Sequence, residues 1–274
     1  MRDILGAMGQ RSTHSTYVHL YVNGLYWGLY NPSERPDDAF QYTYDQLNND
    51  PQSASEDDWD VVKDFNAELF RGQREAWNLL MAVCAAGLGS QSAYQRIQGN
   101  DPDGSRNPNY PILLDVDNLI DYMILHLYAC AEDWPHHNWY GARSRTDFSQ
   151  GWRFFVWDQE IVMDFQFRNR TGVSNADSPA FVYAALRQNP EFRLRFADRI
   201  QKHLFNDGPL SNEGARRIWT ARADEIDRAI IGGSARWGDF RMDVPDPLHS
   251  PSELYTREDH WLPEKQKVLD EYIP

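Results

Sequence analysis

Residues 115–160 read DVDNLIDYMILHLYACAEDWPHHNWYGARSRTDFSQGWRFFVWDQE and contain the pattern on which the fold prediction depends. The first part predicts a helix over about residues 115–131, because its apolar residues recur every three or four positions. They are Val116, Leu119, Ile120, Met123, Ile124, Leu127 and Tyr128. A stripe this wide is typical of a helix that lies in the hydrophobic core.

A polar, proline-containing segment follows this helix and carries the first candidate catalytic residues. Asp133 and Asn138 have the spacing D-x-x-x-x-N, which in protein kinases separates the catalytic Asp from a metal-binding Asn. A hairpin is predicted next, with strands over 138–143 and 152–157, and Asp158 comes directly after it. Kinases place another metal-binding aspartate there. The order helix, loop, hairpin and aspartate therefore predicts a phosphoryl-transfer site.

The run RFFVW before Asp158 is apolar almost throughout, which predicts a strand covered on both faces. A carboxylate at the end of a buried strand needs a partner, and a metal ion would supply one. Glu160 is a further candidate metal ligand. It either shares the face of Asp158 or pairs with an arginine.

Upstream, Asn23-Gly24 separates two runs of β-branched and aromatic residues, Tyr17–Val22 and Leu25–Tyr30. This combination predicts a β-hairpin, because a type I′ turn needs positive φ at both central positions and Asn-Gly tolerates it.

The segments between and after these hairpins have weaker patterns. Residues 45–58 predict an acidic surface loop, Trp59–Lys63 a short strand and Glu68–Gly87 a helix. Residues 181–204 and 211–231 look helical. We expect one domain over residues 1–240 and a C-terminal tail, residues 241–274, packed on it.

Composition limits the classes of function. The 274 residues are 41% hydrophobic, which indicates a folded protein, and the formal net charge of −14 argues against a nucleic-acid or anionic-membrane binder. An acidic protein still binds a nucleotide when a divalent cation bridges carboxylates and phosphates. Cys84 and Cys130 lie in apolar segments and are expected to be buried free thiols. No stretch is apolar enough to predict a membrane span.

Three stretches resemble the CotH family of kinase-like spore-coat proteins. They are YVNGLYWGLYNPSERPDDAF, LLDVDNLIDYMILHLYACAEDWPHHNWYGARS and GWRFFVWDQE, with SARWGD further on. The resemblance implies an α+β, divergent protein-kinase-like fold with a truncated β-rich N-lobe and a mostly helical C-lobe. It also implies ATP and a divalent metal, Mg²⁺ or Mn²⁺ with Ca²⁺ as an alternative. Asp133 would be the catalytic-loop base, and Asn138 and Asp158 would hold the metal.

The chain departs from the kinase pattern at Asp158-Gln159-Glu160, where no DFG glycine follows. The family also carries a basic region upstream of the position of Met1, so we expect the chain to begin near the end of an αC-like helix and to be weakly active. Lys63 is a candidate substitute for the missing phosphate-contacting lysine. Glu34 is a candidate hinge residue on the nucleotide side, and the alternative is that it pairs with Arg35 or another basic residue.

His136 and His137 do not predict a zinc site, because adjacent side chains point apart and no third ligand stands nearby. Three functions stay open. The first is phosphoryl transfer from ATP to Ser or Thr of a coat or secreted protein. The others are a non-catalytic coat or surface scaffold and another nucleotide-dependent transferase. The compartment also stays open, with secretion and the cell or spore surface as alternatives.

Overall fold

The computed structural model describes residues 1–47, 51–164, 167–243 and 253–273. In chain order the elements are α1 (Arg2–Ala7), β1 (Val18–Val22), β2 (Leu25–Tyr30), α2 (Asp38–Gln46), β3 (Trp59–Lys63), β4 (Glu68–Arg71), α3 (Glu75–Ala86), α4 (Gln91–Ile97), α5 (Val116–Tyr128), β5 (Trp139–Ser144), β6 (Arg153–Val156), α6 (Pro179–Leu186), α7 (Pro190–Leu204), α8 (Asn212–Ile226), α9 (Ile230–Trp237), α10 (Phe240–Asp243) and α11 (Leu262–Lys267). Single turns of 3₁₀ helix occur at Glu56–Asp58 and Phe65–Ala67, and of π helix at Arg257–Trp261 and Val268–Tyr272.

The chain forms two compact units. The first consists of Met1–Thr13 and Arg35–Gly208, and the second of His14–Glu34 and Pro209–Pro274. Each combines helices with a small antiparallel sheet, so the expected mixture of helix and strand is confirmed. Within the described ranges, we find no helix with the length and hydropathy needed to cross a membrane.

The sheet of the first unit has the strand order β4-β3-β5-β6, and every neighbouring pair is antiparallel. Lys63 at the end of β3 pairs with Tyr140 near the start of β5. Trp139, where β5 begins, pairs with Val156, where β6 ends. The end of β3, the start of β5 and the end of β6 therefore share one edge of the sheet, which we call the site edge.

Aromatic side chains cover both faces of this sheet. On one face Trp77 of α3 stacks on Trp139, with ring centroids 5.6 Å apart. On the other, Phe40 of α2 meets Phe155 edge-on at 5.9 Å. All four are buried. The prediction that RFFVW forms a strand covered on both faces is thus confirmed, and this packing fixes the position of the site edge.

Helix α5 leads directly to the candidate loop. Asp115 caps it by accepting a hydrogen bond from the amide of Asn118, with Oδ1 and N 3.0 Å apart, which satisfies one of the free amides of the first turn. Residues Val116 to His126 are buried except for Asp117. The structure confirms the predicted core helix, which ends at Tyr128.

Three helix predictions were wrong in their bounds. The segment predicted over 211–231 is divided between α8, which ends at Ile226, and α9, which begins at Ile230. The predicted helix over 68–87 begins only at Glu75, because Glu68–Arg71 pairs with β3 instead. The helical segment predicted over 181–204 is broken after α6. There Asn189 caps a new helix through hydrogen bonds from the amides of Glu191 and Phe192. Pro190 takes the first position of that helix, where a missing N–H costs nothing.

The predicted loop at 45–58 lies partly outside the described residues, at 48–50. Its described part includes the end of α2 and the turn Glu56–Asp58. In the expected tail, residues 244–252 are outside the described ranges, and helical turns follow from Arg257. Cys84 and Cys130 are buried and are not joined by a disulfide, as predicted.

The second unit contains the predicted Asn-Gly hairpin. Asn23 and Gly24 have φ of 51° and 82°, which the type I′ turn requires and which glycine adopts without a steric penalty. Helix α9 packs on this hairpin, where Trp237 meets Trp27 edge-on at 5.5 Å. The hairpin prediction is therefore confirmed.

Candidate functional site

The loop between α5 and β5 brings two of the predicted site residues into contact. Asn138 donates its side-chain amide to the carboxylate of Asp133, with Nδ2 and Oδ2 3.0 Å apart. Asn138 is buried and has a φ of 61°, in the left-handed region that Asn tolerates better than most residues. The two residues that are five positions apart in the sequence therefore bond to each other across the loop. The side chain of Asp133 stays 40% exposed.

The segment after β6 approaches the same loop. The side-chain amide of Gln159 donates to the carbonyl of Asn138 at 3.0 Å, so Asp158 lies one residue from a direct contact with the loop. Asp158 and Glu160 are both exposed. The argument that the Asp158 carboxylate is buried and needs a partner was wrong, because the strand is buried but the carboxylate after it reaches water.

Lys63 reaches the site edge from β3. Its Nζ lies 3.0 Å from Oδ2 of Asp64 and 3.7 Å from Oε2 of Glu68. Burial acts to lower the pKa of Lys63, but the hydrogen bond and negative charge of Asp64, helped by Tyr140 and Glu68, raise it overall. The lysine is therefore fully charged at neutral pH.

Asp64 is a site residue that the sequence reasoning missed. Its Oδ1 accepts a hydrogen bond from the backbone amide of Asn138 at 2.9 Å, across 74 residues of sequence. Its position after the strand-end residue Lys63 was the only signal in the sequence. That signal points to Asp64 as a site residue only once β3 is known to pair with β5. Local β-propensity does not predict which distant strands pair with each other.

Several residues of this site have positive φ although they are not glycine. They are Asp64 (49°), Asn66 (53°), Ala67 (47°), Asn138 (61°) and Asp158 (47°), and six other non-glycine residues with positive φ lie in other segments of the described ranges. Such conformations are costly and persist where the surrounding structure enforces them. The contacts of these turns therefore hold their backbone in place.

The histidines of the loop pack against their neighbours. His136 Nε2 lies 3.3 Å from Oδ1 of Asp133, and the ring of His137 meets Phe65 edge-on at 3.7 Å between centroids. In the parts of the chain that the structure describes, no three His, Cys, Asp or Glu residues form a metal-holding group. A metal here would therefore draw on few protein ligands.

The side chains at the site edge offer oxygen atoms, which are the donors that Mg²⁺ and Mn²⁺ prefer. Asp158 and Glu160 offer exposed carboxylates, and the amide oxygen of Asn138 stays available because its nitrogen makes the bond to Asp133. Mg²⁺ typically takes one or two protein carboxylates and completes its shell with phosphate oxygens and water. A sparse donor set is thus compatible with a metal that arrives with a nucleotide.

Glu34 lies in the second compact unit, whereas the other predicted site residues lie in the first. Its Oε2 accepts a hydrogen bond from the backbone amide of His14 at 2.8 Å and lies 3.2 Å from the ring Nδ1 of that residue. The expected alternative partner, Arg35, instead extends over the ring of Trp157 at 5.8 Å. The structure therefore gives Glu34 a structural contact.

A family model described as CotH kinase protein covers residues 1–262. No curated protein matches the chain.

Proposed function

The chain belongs to the CotH kinase protein family, and on this premise we propose that it transfers the γ-phosphoryl group of ATP to a Ser or Thr hydroxyl of a protein. Family membership suggests a kinase-like function, and the assignment of residues is our own. One observation carries it. The hydrogen-bonded pair Asp133 and Asn138 lies at the site edge. Lys63 lies at the same edge, at the end of β3. Gln159 connects the Asp158 segment to this edge through its bond to the carbonyl of Asn138.

Asp133 is the proposed base. Its carboxylate is held by Asn138 on one oxygen and lies near His136 on the other, while 40% of the side chain stays exposed. An acceptor hydroxyl can therefore approach it, and a base must come within hydrogen-bond reach of the proton it takes. Asp133 would orient the hydroxyl and accept its proton as the new O–P bond forms and the bond between the γ-phosphorus and the bridging oxygen breaks, with ADP as the leaving group.

Asn138, Asp158 and Glu160 would hold Mg²⁺ or Mn²⁺, which neutralises charge on the phosphate oxygens during transfer. Lys63 would contact a phosphate, and its charge at neutral pH suits that role. No step is assigned to Glu34, whose carboxylate bonds to His14.

The test is transfer of label from γ-labelled ATP, with Mn²⁺, to the protein itself or to a Ser-rich peptide. Asp133→Asn should lower the rate by on the order of a hundredfold or more, as loss of a positioned base does, and Asp158→Ala should abolish transfer. Asp147→Ala is the matched control, because Asp147 is an exposed aspartate in the β5–β6 turn.

Transfer that survives Asp158→Ala would show that the metal site is misplaced. No transfer together with no metal-dependent nucleotide binding would overturn the kinase proposal. Nucleotide binding without transfer would instead favour the scaffold, and transfer to a small molecule would favour another transferase on the same fold.

A further inference from the structure

A continuous chain of hydrogen bonds crosses the site edge. Lys63 Nζ donates to Oδ2 of Asp64 at 3.0 Å, and Oδ1 of Asp64 accepts from the backbone amide of Asn138 at 2.9 Å. The side-chain amide of Asn138 then donates to Asp133 at 3.0 Å. Asp64 is the link between the proposed phosphate-contacting lysine and the proposed catalytic loop.

We propose that Asp64 is the positioning residue of this site, which fixes the ammonium of Lys63 and the loop at Asn138 relative to each other. Its part in the reaction rests on the proposed function, whereas its hold on Lys63 can be measured without any activity. Asp64 itself touches neither the metal nor the reacting atoms in this proposal.

The two carboxylate oxygens of Asp64 have separate tasks, because Asp64 lies where the hydrogen-bond ladder between β3 and β5 ends. Oδ2 accepts from Lys63 and Oδ1 accepts from Asn138. The backbone amide of Asp64 donates to the carbonyl of Trp139 at 3.2 Å, which continues the pairing of β3 with β5 by one residue. Beyond that point the backbone amide of Asn138 donates its hydrogen bond to Oδ1 of Asp64. The carboxylate therefore replaces a backbone acceptor at the place where the loop joins the strand.

The backbone of Asp64 is adapted to this task. Its φ of 49° and ψ of −148° lie in a region that residues with a side chain rarely adopt. A strained conformation persists only when other contacts enforce it. The bonds to Lys63 and Asn138, together with the amide bond to Trp139, supply those contacts.

Asp64 differs from the other carboxylate beside Lys63. Glu68 lies farther from Nζ, at 3.7 Å against 3.0 Å, and its side chain is 65% exposed against 19% for Asp64. Solvent and salt screen an exposed pair more strongly. Glu68→Gln is therefore a matched control, since it removes the same charge near the same lysine.

The direct measurement is a pH titration of ¹³C-dimethylated lysines by NMR. The chain offers few signals, from Lys63, Lys202, Lys265 and Lys267, and Lys63→Arg assigns the one of interest. The titratable groups that face Lys63 are Asp64, Glu68 and Tyr140. The titration is repeated with Tyr140→Phe, because a phenol ionises in the same pH range.

Asp64→Asn should lower the pKa of Lys63, and by more than Glu68→Gln does. The reason is that burial lowers this pKa, and the charge of Asp64, which raises it, is then gone. An Asp64→Asn protein that is folded by its amide spectrum and titrates at Lys63 like wild type would overturn the proposal. Asp64→Asn keeps an oxygen for the amide of Asn138, whereas Asp64→Ala does not.

The kinetic readout separates positioning from mere stability. In the transfer assay, Asp64→Asn should raise KM for the nucleotide by about five- to tenfold and leave the Mn²⁺ requirement unchanged, because only Lys63 is released. Asp64→Ala should raise both the KM for the nucleotide and the Mn²⁺ requirement, because it also removes the acceptor for the backbone amide of Asn138. Equal effects of the two variants would overturn the two-task assignment. A wild-type protein without transfer would refute the proposed function, while the titration would still decide whether Asp64 holds Lys63.

Discussion

Gln159 donates its side-chain amide to the backbone carbonyl of Asn138, with Nε2 and O 3.0 Å apart. The same amide donates to the carbonyl of Trp157 at 3.0 Å. Gln159 thus joins the residues on either side of Asp158 to the loop that carries Asp133. The β5–β6 ladder pairs Trp139 with Val156, and Gln159 adds a side-chain contact just beyond the end of that ladder.

Gln159→Leu should therefore weaken metal binding more than it weakens folding. The change removes two hydrogen bonds from a half-buried site and should cost about 1 kcal/mol of unfolding free energy. Because the residues after the β5–β6 ladder lose their side-chain bond to Asn138, the Mn²⁺ concentration for half-maximal transfer should rise by about three- to tenfold. Gln150→Leu, at an exposed position in the β5–β6 turn, is the control. Equal Mn²⁺ requirements in both variants would contradict this role for Gln159.

Much of the scaffold could be predicted because its signals are local. The Asn23-Gly24 turn, the strand Trp59–Lys63 and the apolar stripe of α5 each depend on residues close together in sequence, and each is present. The spacing of Asp133 and Asn138 is equally local, and it corresponds to a direct hydrogen bond.

The misses come from non-local pairing. Glu68–Arg71 has a helical pattern of its own but pairs with β3, so tertiary structure overrides propensity there. Asp64 acquires its role only because β3 lies beside β5. The exposure of Asp158 was missed for another reason, since burial of a strand does not fix the burial of the residue after it.

His126 should make the protein less stable in acid. It is fully buried, its ring stacks on Trp134 at 4.6 Å, and its Nδ1 lies 2.7 Å from the carbonyl of Tyr122. Nε2 finds no acceptor among the described residues. Burial lowers the pKa of His126 to about 3, so between about pH 6.5 and 3 the unfolded state binds one proton more than the folded state.

The unfolding free energy should therefore fall as the pH falls below about 6.5, by up to about 1.4 kcal/mol per pH unit from this residue alone. Urea unfolding at several pH values measures the slope. His126→Gln, which cannot take the charge, should be less stable at pH 7 but should show a shallower slope. An unchanged slope in His126→Gln would rule out this residue as the source.

Cys84 should be unreactive in the folded protein. It is buried on α3, and burial raises the pKa of its thiol to about 12. At pH 8 only about one molecule in ten thousand would carry the reactive thiolate. In a Cys130→Ser background, a thiol reagent such as DTNB should react with Cys84 only as fast as the protein opens, and at once in guanidinium. Rapid reaction of the native protein would contradict the burial of this thiol.

Asp121 should be one of the most sensitive positions for folding. It is fully buried on α5 and pairs with Arg199 and His203 of α7, the latter at 2.9 Å, while Gln10 donates to it at 2.6 Å. Burial alone would raise the pKa of Asp121, but the bonds from His203, Arg199 and Gln10 lower it. The contribution of this network is present above the unfolded pKa of about 3.9 and is lost as the pH falls further.

Asp121→Asn should cost about 3–5 kcal/mol of unfolding free energy at pH 7, because it removes the buried carboxylate that pairs with Arg199 and His203 and leaves Arg199 with only Asp117, 3.5 Å away. Arg199→Leu should cost a similar amount, and the double variant should cost less than the sum, since each single change strands the other partner. The pair Lys267 and Glu264 on α11 is the control. Its side chains are 43% and 64% exposed, so Glu264→Gln should cost at most about 1 kcal/mol. Additive costs in the cycle would show that the two charges do not act as a unit.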